Sequence, residues 1–192
     1  MRKILFCFCL CLLISGCAVS GTLITGTNNH IHMPSYSFVA PPDEEWYVDQ
    51  PSDPYETVAV RKQMGRIIFM MQFKRNTAFN PVAVRGLSAR DLATDYRNAE
   101  KNEMIEQGVK KGMYVLSDLK MGEEEVGGKT FYTMDYVVTR LTGIQRVSLY
   151  LYSPPSSNNE SFILAHYSET NASPTLSFKK DFLSVLATLS PR

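Results

Sequence analysis

The chain has 192 residues, with 20 Lys+Arg against 19 Asp+Glu, four cysteines, ten tyrosines and ten phenylalanines. That length holds one domain with a proper core, and the aromatic content points to sheet with apolar faces. The near-balance of charge excludes the basic stripe of a nucleic-acid partner and the polybasic run that would bind membranes electrostatically.

In chain order, Arg2 and Lys3 precede an apolar run from Ile4 to Ile14. The run is too short to span a bilayer, which takes about 20 apolar residues, and it has the form of a secretory signal. Ile14-Ser15-Gly16 before Cys17 resembles the bacterial lipobox. Small residues there let the strand enter a peptidase cleft, and only cysteine supplies a thiol to alkylate. An ordinary signal cleaved after Ala18-Val19-Ser20 is the alternative. By the resemblance, Cys17 carries a thioether-linked diacylglycerol and an N-acyl chain. Each buried methylene contributes ~0.8 kcal/mol, so two or more chains anchor stably. Ala18 stands where an Asp would favour inner-membrane retention, so the expected location is the outer membrane, facing the periplasm. Cys7, Cys9 and Cys11 leave with residues 1–16, so the mature domain has no thiol for disulfides, metal binding or nucleophilic catalysis.

Residues 17–34 read as the lipidated cysteine and a flexible Gly/Thr/Asn-rich tether. Its ends would lie roughly 20–25 Å apart. The domain is placed at 35–192. Tyr36–Val39 reads as a short strand stopped by Pro41-Pro42, and Asp43-Glu44-Glu45 as a turn leading into Trp46-Tyr47-Val48. Thr57–Gln63 and Arg66–Lys74 make a hairpin around Met64-Gly65. Ser88 is the expected N-cap of a helix, with Asp91 at the third helical position and Leu87 and Leu92 at staple spacing. Leu92, Tyr96 and Ala99 share one helical face. Ile105 and Val109 fall out of phase, which predicts a kink or an end near Lys101-Asn102.

Met113–Met121 reads as a strand, and Gly122–Gly128 as an acidic turn. Thr130–Arg140 alternates, with Tyr132, Met134, Tyr136 and Val138 on one face. Val147, Leu149 and Leu151 mark another strand, Ser153 onward a loop, and Phe162–Tyr167 the last strand. Ser173-Pro174 predicts the start of a final helix, with serine at N-cap and proline at N1. Phe178, Phe182, Val185, Leu186 and Leu189 form its apolar stripe.

Trp46 after the Pro-Pro turn, Gly127-Gly128-Lys129-Thr130-Phe131-Tyr132 opening a strand, and the Phe178…Phe182…Leu189 helix together resemble the PsbP/DcrB-like domains. The likeness covers about residues 35 to 190. It implies an α+β fold, an antiparallel sheet packed by two main helices. It also implies a non-enzymatic accessory or binding role, with no catalytic signature to transfer.

The remaining chemistry is sparse. His30-Ile31-His32 lacks companion ligands, so no metal is expected there. His166 shares a strand face with Phe162 and Leu164, and a catalytic role would need an orienting acid and a pocket. Glu123, Glu124 and Glu125 are consecutive rather than alternating as cation ligands are, which favours a solvated turn. Trp46 is expected in the core. No cofactor motif occurs.

Two functions compete. One is a membrane-anchored interaction module for another envelope protein. The other is a carrier or sensor of a small apolar ligand in a sheet–helix cleft lined by Tyr132, Tyr136, Tyr150 and Tyr152. An enzyme is a third and weaker reading, resting on His166. The first question for the structure is which sheet face the helices leave open.

Overall fold

Alternating apolar and polar residues build most of this α+β protein. The computed structural model describes residues 21–42, 45–50, 55–77, 88–154 and 161–192. The strands are β1 (Thr22–Leu23), β2 (His30–His32), β3 (Tyr36–Val39), β4 (Tyr47–Asp49), β5 (Val58–Met64), β6 (Ile67–Thr77), β7 (Val115–Val126), β8 (Lys129–Arg140), β9 (Gly143–Tyr152), β10 (Ser161–Thr170) and β11 (Ser190–Pro191). The helices are α1 (Ala89–Met104) and α2 (Lys179–Thr188). Eight strands form an antiparallel sheet in the order β1-β4-β5-β6-β10-β9-β8-β7, and β11-β3-β2 form a small second sheet.

The large sheet is covered on both faces. On one face lie α2 and the small sheet, over Phe69, Phe73, Phe131, Tyr150 and Tyr167, with Phe182 at the centre. Trp46 is fully buried here, edge-on to Phe178 at 5.7 Å, as expected of a core tryptophan. On the other face α1 covers Met134, Tyr136, Val138, Leu149, Leu151, Phe162 and Leu164 through Leu92 and Ala93.

Ser88 caps α1 in a full capping box. Its Oγ accepts from the Asp91 backbone N–H at 3.1 Å, and Asp91 accepts from the Ser88 backbone in return. These bonds satisfy two donors that a helix start otherwise leaves open. They also hold the Asp91 carboxyl below the usual range, the Ser88 side chain contributing most. The staple partner Leu87 lies outside the described residues.

Several local expectations are corrected. The helix does not break at Lys101-Asn102. It runs to Met104 and absorbs the change of phase in a π-helical turn, Ile105–Val109. Glu123, Glu124 and Glu125 are not in a turn: they pair with Tyr132, Phe131 and Thr130 as part of β7. The turn is Gly127-Gly128 alone, with φ of 57° and 72°, the two positive values of a tight hairpin. A Cβ on Gly127 would also lie 2.7 Å from Ala187 Cα. The last helix starts at Lys179, not behind Ser173-Pro174, because Tyr167 and Glu169 fix the preceding segment.

The expected tether is corrected as well. From Gly21 onward its residues join the folded body: β1 pairs with β4, β2 pairs with β3, and Ile24 and Ile31 are buried. The segment is rich in Thr, Asn and Gly and its strands are only two and three residues long, too short to write a period, which is why composition reads it as coil.

Candidate functional site

The face under α2 is closed at one end and open at the other. Along β9 the residues on this face run Ile144, Arg146, Ser148, Tyr150 and Tyr152. Tyr150 is fully buried, whereas Ile144 is 45% exposed. Beyond the reach of α2, the quadrant formed by β7, β8 and β9 presents Val115, Val137 and Ile144, of which Val115 is 64% exposed. Leu141 in the adjoining β8–β9 turn is fully exposed, and Met113 before β7 is 65% exposed.

A polar pocket of about 380 Å³ joins this apolar ground to the N-terminal end of α2. Its floor is Asp135 and Val137 from β8, Arg146 and Ser148 from β9, and Tyr167 and Glu169 from β10. The β7 bulge forms one rim. There the register shifts between Ser117 and Lys120, Asp118 takes φ of 53°, and Lys120 is set opposite Asp135. Ser177 and Lys179 form the other wall.

Its charges are organised. Asp135 Oδ1 accepts from Lys179 Nζ at 3.1 Å and from the Ser148 hydroxyl. Glu169, buried at the base, accepts from Tyr167 OH at 2.6 Å and from the Ser177 hydroxyl. Tyr167 OH in turn accepts from the Phe178 backbone N–H at 2.9 Å. Burial first, then the Glu169 carboxylate, push the Tyr167 phenol well above its usual range. Arg146 Nη1 donates to the Ala172 carbonyl at 2.8 Å. The pocket therefore presents three acidic and three basic side chains: Asp118, Asp135 and Glu169 against Lys120, Arg146 and Lys179. Such a surface can exchange hydrogen bonds and ion pairs with a peptide. Among the described residues neither serine donates to a histidine; each donates to a carboxylate.

The four tyrosines do not share a cleft. Tyr132 and Tyr136 belong to the α1 face, and Tyr150 and Tyr152 to the α2 face. Adjacent strands place residues 132 and 151 opposite each other, so 150 and 152 point to the other side. Under α2 the space is filled by rings: Phe182 lies 5.3 Å from Tyr150 and 5.1 Å from Tyr167. Tyr150 OH donates to Glu124 Oε2 at 2.5 Å, and burial first, then that carboxylate, raise its pKa strongly. Tyr136 is raised too, chiefly by burial.

His166 lies on the α1 face, opposite Gln72 and Leu149. Its Nε2 is buried without a hydrogen-bond partner among the described residues, and burial, then Lys74, lower its pKa to about 4. No carboxylate orients it among the described residues. His30 and His32 stand 6.5 Å apart on β2, and His32 Nδ1 lies 2.7 Å from Arg192 Nη2. No cluster of three or more metal-ligating side chains occurs among the described residues. Of the acidic runs, Glu124 is tied to Tyr150 and Glu123 lies 3.3 Å from Arg90 Nε, while Asp43 and Glu44 lie outside the described residues, as does Cys17.

Sequence reasoning missed the pocket. Its members come from four strands, a loop and the first residue of α2, and only the tertiary structure brings them together. The one sequence signal was the polar interruption Ser117-Asp118-Leu119-Lys120 within Met113–Met121.

No protein-family model and no curated protein matches the chain. Among solved structures it is similar to LpqN of Mycobacterium tuberculosis, a protein involved in cell envelope biogenesis. The identity is 12%, with 84% of this chain and 88% of that one covered and a TM-score of 0.48. It is also similar to CyanoP, the cyanobacterial PsbP of Synechocystis, at 14% identity, 94% and 99% coverage and a TM-score of 0.47. A third similar structure is a Bacteroides thetaiotaomicron protein, at 11% identity over 85% of this chain with a TM-score of 0.48; this chain spans 48% of that one. The α+β assignment rests on the strands and helices described above.

Proposed function

We propose that the protein is a lipid-anchored, non-enzymatic interaction module of the cell envelope, and that it docks a protein partner on the open β7–β9 quadrant. The observation that carries this reading is the quadrant itself: exposed Val115 and Ile144 beside a pocket of mixed charge. Exposed apolar residues bordered by charged groups are the makings of a protein interface. A small apolar ligand is less well served, since the tyrosines expected to hold one lie on opposite faces. The anchor reading rests on the lipobox at Cys17 and its placement behind a signal. No helix among the described residues is long and apolar enough to cross a membrane.

A photo-crosslinking residue at Val137 tests the docking surface in intact cells. The expected result is one crosslinked envelope protein, lost when Lys120 and Arg146 are both changed to Glu. The same residue at Arg90, on α1, should give no such product. Equal crosslinking from both positions, or none from Val137, would overturn the interface. Radiolabelled palmitate tests the anchor: incorporation should vanish in Cys17→Ser, and the variant should leave the membrane fraction.

A further inference from the structure

The fold leaves little chain between the proposed anchor and the ordered body. Thr22 already pairs with Val48 at the outer edge of the large sheet. The five residue steps from Cys17 to Thr22 reach at most ~18 Å when fully extended. The β7 edge is at the opposite end of the same sheet, seven strand spacings away, or roughly 30–35 Å. The tether therefore keeps the β1 edge within ~18 Å of the lipid surface, while the β7 edge lies at the far end of the sheet.

A second observation concerns charge. Between Lys3 and Asp43 the sequence contains no Asp, Glu, Lys or Arg. This span supplies β1, β2, β3 and the turn Thr25–Asn28, whose exposed groups are Gly26, Thr27 and Asn28. The turn ties its own polar groups together: the Thr25 backbone N–H donates to Asn28 Oδ1 at 2.6 Å, and Asn28 Nδ2 donates to the Leu23 carbonyl at 2.9 Å. The neighbouring charges on β5 are paired, Arg61 with Asp49 of β4 at 2.6 Å and Lys62 with Glu45 ahead of β4 at 2.6 Å. Arg192 reaches this region beside His32. An uncharged, internally bonded edge approaches headgroups with a small desolvation cost and without repulsion from an anionic leaflet.

We infer that the β1 edge with its Thr25–Asn28 turn is the bilayer-facing surface, which turns the open β7–β9 quadrant away from the lipid toward the aqueous space. The inference rests on the lipid-anchor reading of Cys17. It assigns the occupant of the β1 edge as the lipid headgroup layer and leaves the far edge to the partner.

The mature chain has no thiol besides Cys17, so one added cysteine is a unique labelling site once Cys17 is alkylated. Thr27→Cys and Ser117→Cys, both at exposed positions, are each labelled with a bimane in the full acylated protein. The protein is then reconstituted into vesicles of phosphatidylethanolamine and phosphatidylglycerol carrying doxyl-labelled lipid. Quenching at Thr27 should exceed that at Ser117 several-fold, and aqueous iodide should reverse the order. Equal quenching at the two positions on chains whose mass shows acylation would overturn the orientation and leave the anchor standing. Absence of acyl mass at Cys17 would overturn the anchor, and the orientation with it.

Discussion

The two faces of the large sheet are held by different means. Under α2 the contacts are aromatic: Phe182 alone meets Phe73, Tyr150 and Tyr167 at 6.3, 5.3 and 5.1 Å. Under α1 the core is largely aliphatic, and its polar pin is Arg97. That residue is buried, donates Nη1 to the Gly122 and Thr133 carbonyls at 2.9 and 3.1 Å, and bonds Thr94 through Nη2. Its Nε has no partner among the described residues, and burial lowers its pKa. Each face is therefore vulnerable in its own way: the first to loss of volume, the second to loss of a single charge-bearing group.

The largest effect is expected under α2. Phe182→Ala removes a ring with no exposed surface, and such truncations cost ~3–5 kcal/mol. Urea unfolding at neutral pH measures it. A loss below ~1 kcal/mol would mean that the ring cluster does not hold α2 to the sheet.

On the α1 face, Arg97→Met keeps most of the stem's packing but strands two carbonyl acceptors. The expected cost is ~1–3 kcal/mol, and Arg97→Lys should recover part of it. If Met and Lys variants unfold alike, packing of the stem over Tyr132 (5.9 Å from the guanidinium carbon to the ring) decides the outcome rather than hydrogen bonding.

The same face carries a pH dependence. His166 takes its proton at about 4 in the folded state, against 6.5 ordinarily. Between these values the unfolded chain binds a proton that the folded one refuses, so stability falls as pH drops through the window and levels off below it. The slope approaches ~1.4 kcal/mol per pH unit. Glu100, raised by burial and then by Glu103, acts in the opposite sense as pH rises above its ordinary value. The clean readout is therefore the stability of wild type minus that of His166→Gln, which should rise between pH 4 and 6.5 and stay flat above. A flat difference throughout would place His166 in water.

How far the fold was legible follows from what each element is built on. The strands with strong alternation, such as Tyr132-Met134-Tyr136-Val138, were readable because one buried face writes a period of two. The Ser88 capping box was readable because its chemistry is local. Glu123–Glu125 misled because β7 is an edge strand, where charges guard against pairing and erase the apolar pattern. Ser173-Pro174 carried a sound helix-start signature, overridden by Tyr167 and Ser177 in the tertiary structure. The pocket was invisible because Asp135 and Glu169, separated by 34 positions, meet only through strand order.

The smallest stability effect is the one that separates packing from function. Strand β9 runs along the α2 face from buried Tyr150 to exposed Ile144 within six residues. If the open quadrant serves a partner, its apolar residues contribute little to folding. Ile144→Lys should then shift stability by less than ~0.5 kcal/mol, as at ordinary surface sites, while abolishing the crosslink from Val137. The two readouts move independently only if the quadrant is an interface. A variant that loses stability and crosslink together would show Ile144 to be part of the core, and would move the search for a docking surface to the Met113–Leu141 rim instead.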